Sequence, residues 1–259
     1  MIGILDSGLG GLTVVKKVFN ALPEYQILYY GDTANGPYGN KSKEIIQKYA
    51  FEGVKFLTKH GAKIIIIACN TTSAAALDSL TKEFRIIFFG AINPGVRKAV
   101  QITKDKKIGV IGTRMTIHSN VYQNAIKAID AQISVFAKSA PLLVPLIEES
   151  WIKKPEANRI IKNYLYPIKL KQVDSLILGC NYYPVIKKNI QSKIGKKVKL
   201  IDPGDEVVND VKMFLEQNPE IEKSLVKGSA HKFFVSDLTP KYQYLAGYLL
   251  GQKIKLIQA

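Results

Sequence analysis

The chain has 259 residues, 47% of them hydrophobic, which suits two modest domains or one large α/β unit around a substantial core. No apolar run reaches the length of a membrane-spanning helix, MIGILDSGLGGL at the N-terminus has neither a basic leader nor a cleavage-type site, and two cysteines without a spacing pattern make no disulfide framework, so a cytoplasmic protein with no membrane partner is expected. The formal net charge of +16 suits nucleic acid or an acidic substrate, but the lysines are spread through KKV, KSK, TKDKK, VIKKN and GKKVK, mostly at element ends, which favours solvated surface charge over a nucleic-acid face.

Short apolar runs alternate with longer amphipathic ones. Ile2–Leu5, Ile27–Tyr29, Ile64–Ala68 and Ile86–Phe89 read as strands, and Leu12–Asn20, Lys41–Lys59 and Thr72–Lys82 as the helices between them. The strands are isoleucine-rich and apolar throughout, as strands buried on both faces of a parallel sheet are. The pattern then restarts. KIGVI at Lys107–Ile111 resembles IGIL at the start of the chain, with Gly112-Thr113 following where Asp6-Ser7 follows Leu5. About seventy residues after each restart an apolar strand ends in cysteine, IIIIACN at Cys69-Asn70 and SLILGCN at Cys180-Asn181. The expected fold is α/β: two similar doubly wound domains with mostly parallel sheets, related by a pseudo-twofold axis. The first takes residues 1–93 with 208–259 and carries Cys69; the second takes 94–207 and carries Cys180.

In parallel sheets ligands sit outside the C-terminal strand ends. Asp6, Ser7, Cys69, Asn70, Thr113 and Cys180 all fall there, so two facing half-domains bring the only two thiols to opposite sides of one cleft. A lone buried cysteine is usually a small hydrophobe. Here each precedes an asparagine and an expected helix start, which favours the thiolate. One thiol on each face of a carbon can remove a proton from one side and deliver one from the other, inverting the centre without a cofactor. The turn Asp6–Gly11 lacks GxGxxG spacing and a Walker lysine, which argues against a phosphate site; its glycines can bring N–H groups close to a carboxylate. His60, His118 and His231 do not pair at ligand spacing, so no metal is expected.

ILDSGLGGLTV (Ile4–Val14), YYGDTANGPYG (Tyr29–Gly39), ACNTTSAAAL (Ala68–Leu77), IGTRMTIHSNVY (Ile111–Tyr122), VPLIEES (Val144–Ser150) and LGCNYYP (Leu178–Pro184) together resemble the bacterial glutamate racemases of the cofactor-independent aspartate/glutamate racemase superfamily. The resemblance runs nearly end to end. It implies two α/β domains with the active site between them, no cofactor, a small acidic amino-acid substrate, D-glutamate supply for peptidoglycan, and a homodimer. A DNA gyrase or nucleic-acid contact enters as a rival partner reading. The resemblance also implies Cys69 and Cys180 as the acid/base pair, Asp6 as support for the first, and Glu148 as the carboxylate near the residue two beyond the second. Ser7, Pro37, Tyr38, Gly39, Asn70, Thr71 and Thr116 are implied as substrate-binding, with Asp6, Asn181 and Tyr182 beside them.

One stretch departs from the family. Cys-Thr-His is usual where this chain reads Cys180-Asn181-Tyr182. Asn181 can replace the hydrogen bonds of threonine. Tyr182, neutral near pH 7, cannot stabilise a thiolate as an imidazolium does, and its single hydroxyl proton has Cys180 or Glu148 as candidate acceptors. Alternative readings are a racemase of another acidic amino acid such as aspartate, or a weakly active ligand-binding or regulatory relative.

Overall fold

The computed structural model describes all 259 residues. In chain order β1 (Ile2–Asp6), α1 (Leu12–Ala21), β2 (Ile27–Gly31), α2 (Lys43–Lys59), β3 (Ile64–Ile67), α3 (Asn70–Glu83) and β4 (Ile87–Gly90) come first. Helix α4 (Ile92–Ile102) leads to β5 (Lys107–Gly112), α5 (Arg114–His118), α6 (Val121–Ile129), β6 (Ser134–Ser139), α7 (Leu143–Glu148) and α8 (Pro155–Lys169). Next come β7 (Ser175–Gly179), α9 (Lys187–Ile194) and β8 (Lys199–Ile201). The chain closes with α10 (Pro203–Gln217), α11 (Pro219–Ser224), β9 (Lys232–Val235), α12 (Pro240–Leu250) and β10 (Leu256–Gln258).

The strands form two sheets, ordered β10-β9-β2-β1-β3-β4 and β6-β5-β7-β8. Every paired strand is parallel. Parallel sheets need covering on both faces, which explains why β1 and β3 are buried at every position. Each fully buried isoleucine of β3 contributes about 2–3 kcal/mol of transfer free energy. Strand β4, at the sheet's edge, is only half-buried.

The order β2-β1-β3-β4 in one sheet reappears as β6-β5-β7-β8 in the other. This is the structural counterpart of the restart seen in the sequence, and β9 and β10 are additions to the first copy alone. In each copy the chain leaves the first strand to one side and returns on the other. That reversal opens a crevice beyond the carboxyl ends of β1 and β3, and of β5 and β7. Asp6 ends β1 and Cys69 follows β3; Thr113 follows β5 and Cys180 follows β7. One continuous apolar cluster joins the two sheets, reaching from Ile4 and Ile66 to Leu176 and Leu178, and α10 packs on both α1 and α4. The crevices are thereby held against one another.

Candidate active site

Cys69 caps α3. Its extended backbone (φ −75°, ψ 119°) turns the sulfur back over the first helical turn, where the Thr72 N–H points at Sγ from 3.5 Å. The Ser7 hydroxyl lies 3.2 Å from the same sulfur. Burial raises the Cys69 thiol above its ordinary value, the Asp6 charge adds to this, and the bonds from Ser7 and Thr72 oppose it.

Cys180 stands differently. The expected helix start is displaced: Tyr183–Ile186 forms a short 3-10 turn and α9 begins only at Lys187. Tyr183 in that turn is fully buried, its hydroxyl donating to the Ala140 carbonyl at 3.0 Å, so the chain is fixed to the core before a helix can begin. Cys180 therefore has no helix N-terminus at its sulfur. Burial pushes its thiol far up, opposed by the Tyr182 backbone N–H and reinforced by the nearby Cys69, Asp6 and Glu148.

The two thiols are linked through their neighbours. Asn181 Nδ2 donates to Asp6 Oδ1 at 2.6 Å and to the carbonyl of Ala68, the residue before Cys69, at 3.1 Å. The Thr13 hydroxyl lies 2.8 Å from both the Gly10 and the Asn181 carbonyls. The glycine turn makes this approach possible. A Cβ on Gly10 would stand 2.4 Å from Asn181 Oδ1 and 2.6 Å from the Tyr182 ring. The carboxylate that its N–H groups serve is that of Asp6 itself: the Gly8 N–H donates to Oδ2 at 3.1 Å. Burial raises Asp6 to about 6, while N–H groups of Gly11, Gly8 and Ser7 and the Asn181 amide pull it back down. The amide of Asn181, expected on the substrate, is committed here to Asp6 and Ala68.

The hydroxyl of Tyr182 donates to Glu148 Oε1 at 2.6 Å and receives the Leu9 N–H at 3.3 Å. Of its two candidate acceptors it takes Glu148, and no side chain donates a hydrogen bond to Cys180. Glu148 is raised by burial, with the Tyr182 bond and Lys241 opposing. A cavity of about 30 Å³ lies among Ser7, Gly8, Leu9, Pro37, Glu148 and Tyr182. That is room for a single water.

On the other wall, the hydroxyls of Thr71, Thr113 and Thr116 form a triangle with sides of 2.9, 3.2 and 3.0 Å that joins the two domains. Gly39 backs onto Thr113, where a Cβ would come within 2.8 Å. Asn70 accepts from the Tyr122 hydroxyl at 2.6 Å, leaving its NH2 without a protein partner. The Tyr38 hydroxyl donates to Asp32 while the ring stacks on Tyr49. Thr13 and Tyr122 are the contributors that sequence reasoning did not single out, although both fall inside the motif blocks. Thr113 was placed at a strand end but given no role.

The chain matches the family profile described as Asp/Glu/Hydantoin racemase over residues 2–211. A glutamate racemase of Chlorobaculum tepidum is 43% identical over 254 residues, covering 98% of this chain and 93% of that one. The crystal structure of a glutamate racemase isoform from Bacillus anthracis superposes with a TM-score of 0.94 at 34% identity, covering 100% of this chain and 97% of the other. That of the Francisella tularensis glutamate racemase in complex with D-glutamate gives 0.91 at 36% identity, covering 100% and 96%.

Asn181→Ala removes one N–H from a buried carboxylate and another from the Ala68 carbonyl, and is expected to cost about 1–3 kcal/mol in denaturant unfolding at pH 8. The loss is expected to be smaller at pH 5. Asp6 has a folded value near 6, above its unfolded one, so its burial costs stability as pH rises from about 4 through 6. Without Asn181 the folded value climbs further and the loss extends to higher pH. Equal destabilisation at both pH values would show that the amide does not act on the ionised carboxylate.

Proposed function

The chain belongs to the Asp/Glu/hydantoin racemase family, and from that premise we propose that it is a cofactor-independent racemase interconverting L- and D-glutamate, supplying D-glutamate for peptidoglycan. The observation that carries this reading is the hydrogen bond from Asn181 to the Ala68 carbonyl, which brings the neighbours of the chain's only two thiols together at the meeting of two strand-end crevices. We assign residues 1–93 with 208–259 to the first domain and 94–207 to the second.

In the proposed reaction one cysteine, as thiolate, takes the Cα proton and becomes a thiol. The other, a thiol, protonates the carbanion from the opposite face and becomes the thiolate. One proton enters the amino acid and one leaves it, and the configuration inverts. Both thiols rest in surroundings that disfavour the charged form. The substrate ammonium, drawn to Asp6, is the group that can reverse this: a positive charge beside two sulfurs and a carboxylate lowers all three. The free NH2 of Asn70 and the hydroxyls of Thr71 and Thr116 are proposed to hold the carboxylates. The cavity beside Glu148 and Tyr182 is lined by neither thiol and is far smaller than an amino acid, so it is not itself the proposed reaction space.

Tyr182 is proposed as an anchor for Glu148, with no proton-transfer part in the Cys180 half-reaction. The Cys180 side consequently lacks a cationic helper, and such a helper contributes about 100- to 10,000-fold in general acid/base catalysis.

The test is exchange of the α-hydrogen in D₂O from each glutamate enantiomer, with aspartate run in parallel. Cys69→Ser and Cys180→Ser are each expected to abolish exchange from one enantiomer, and a different one. Full racemisation by both variants would refute the two-thiol mechanism, and turnover of aspartate alone would refute the substrate. Tyr182→His is expected to raise kcat/KM for racemisation by about tenfold or more, by the same factor in both directions, because Cys180 is the base in one direction and the acid in the other and the equilibrium constant is one. An unchanged kcat/KM in Tyr182→His would contradict the reading that the Cys180 side is limited by the lack of a cationic helper.

A further inference from the structure

The basic residues that look scattered along the sequence are concentrated in the segment that builds α8, α9 and β8 of the second domain, and several of them meet on the α8–α9 face. Residues 151–199 contain twelve lysines and arginines against two acids, Glu156 and Asp174, a net ten of the chain's sixteen positive charges. Asp174 is turned inward, accepting from Thr103 and from the Lys104 and Asp105 N–H groups, and none of the twelve basic side chains enters an ion pair. Helices α8 and α9 lie side by side, tied by Asn189 Nδ2 donating to Asn158 Oδ1 at 3.1 Å. Spacings of three and four residues put Arg159, Lys162, Tyr166 and Lys169 on the outer stripe of α8, with Leu170 capping its end on the same side, and all five are exposed.

Apolar surface sits in the middle of this charge. Tyr166 is 55% exposed and Leu170 63%, on a helix whose inner positions Ile161, Leu165 and Ile168 are buried. With Lys162, Lys169 and Gln172 of the same segment and Lys193 of α9, they line a shallow concavity of about 350 Å³. Lysine stems lie along apolar surface while their ammonium groups reach outward.

We propose that the α8–α9 face is a docking surface for an anionic lipid bilayer, with Tyr166 and Leu170 entering the headgroup region and the surrounding lysines meeting lipid phosphates. A second copy of the chain is disfavoured as the occupant, because two such faces meeting would set Arg159, Lys162, Lys169 and Lys193 against the same unpaired cations. Nucleic acid would satisfy the lysines but leave Leu170, an aliphatic group at the centre of the patch, facing a phosphate backbone. The boundary between headgroups and acyl chains takes both. No helix is long and apolar enough to cross a membrane, so the association is peripheral.

The full-length protein is sedimented with vesicles of phosphatidylcholine alone and with about 30% phosphatidylglycerol, at low salt and near 0.5 M salt. Binding to the charged vesicles only, weakened by salt, is the expected result. The triple variant Lys162→Gln, Lys169→Gln, Lys193→Gln should bind about a hundredfold more weakly, since each lysine near such a surface contributes about fivefold. Leu170→Ser should lose about tenfold and leave the salt dependence in place. Circular dichroism checks that both variants fold, and the comparison of the two vesicle types stands without any variant. Failure of the native protein to sediment with charged vesicles, unchanged binding by the triple variant, or tighter binding to a DNA duplex than to the vesicles would overturn the proposal.

Discussion

A buried carboxylate sets the terms for the rest of this molecule. Asp6 closes β1 with almost no exposed surface, and an isolated ionised group in that position would be prohibitively costly. Its hydrogen bonds come from both halves of the chain, from the glycine turn that follows it and from Asn181, distant in sequence, in the other domain. Neither domain alone completes the set. Docking the domains and keeping Asp6 charged are therefore one event. This is why the turn carries glycine where it does: any side chain at Gly10 would hold the Asn181 loop away.

This dependence also explains what could be read in the sequence. The strands were legible because β1, β3, β5 and β7 are buried on both faces and advertise it as unbroken apolar runs. The two strand-end cysteines were legible because the internal repeat places them in matching positions, and the four-strand order shared by the two sheets is the same fact in three dimensions. Illegible were the contacts made across the domain interface, such as Asn181 on Asp6 and Thr71 on Thr113 and Thr116. No periodicity or motif reports which residues of one repeat face which of the other. The basic face escaped for a related reason. Arg159, Lys162 and Lys169 lie several residues apart along α8, and Lys193 is on another helix, so linear inspection sees four isolated charges.

The two thiols are equivalent by repeat but not by surroundings. Cys69 is served by a helix N–H and a serine hydroxyl, whereas Cys180 follows a turn pinned by buried Tyr183 and lies beside Asp6 and Glu148. The asymmetry begins in backbone geometry. An α3 that starts immediately at Asn70 aims its N–H groups at the preceding side chain, and an α9 delayed to Lys187 cannot.

Tyr182 sharpens that asymmetry. An imidazole in its place would carry a proton that either the sulfur or Glu148 could share, coupling the two. A phenol has one proton, and Glu148 holds it at 2.6 Å while the oxygen accepts from Leu9. The phenol is thus saturated, and burial together with Glu148 keeps it from ionising. The cluster around the thiols consequently has two carboxylates and no lysine, arginine or histidine among the groups that shift them. In such a place the substrate ammonium is the largest positive charge a thiol can meet. Tied to Asp6, it would make formation of the thiolate conditional on occupancy, so that reactive sulfur arises only where there is an amino acid for it to act on.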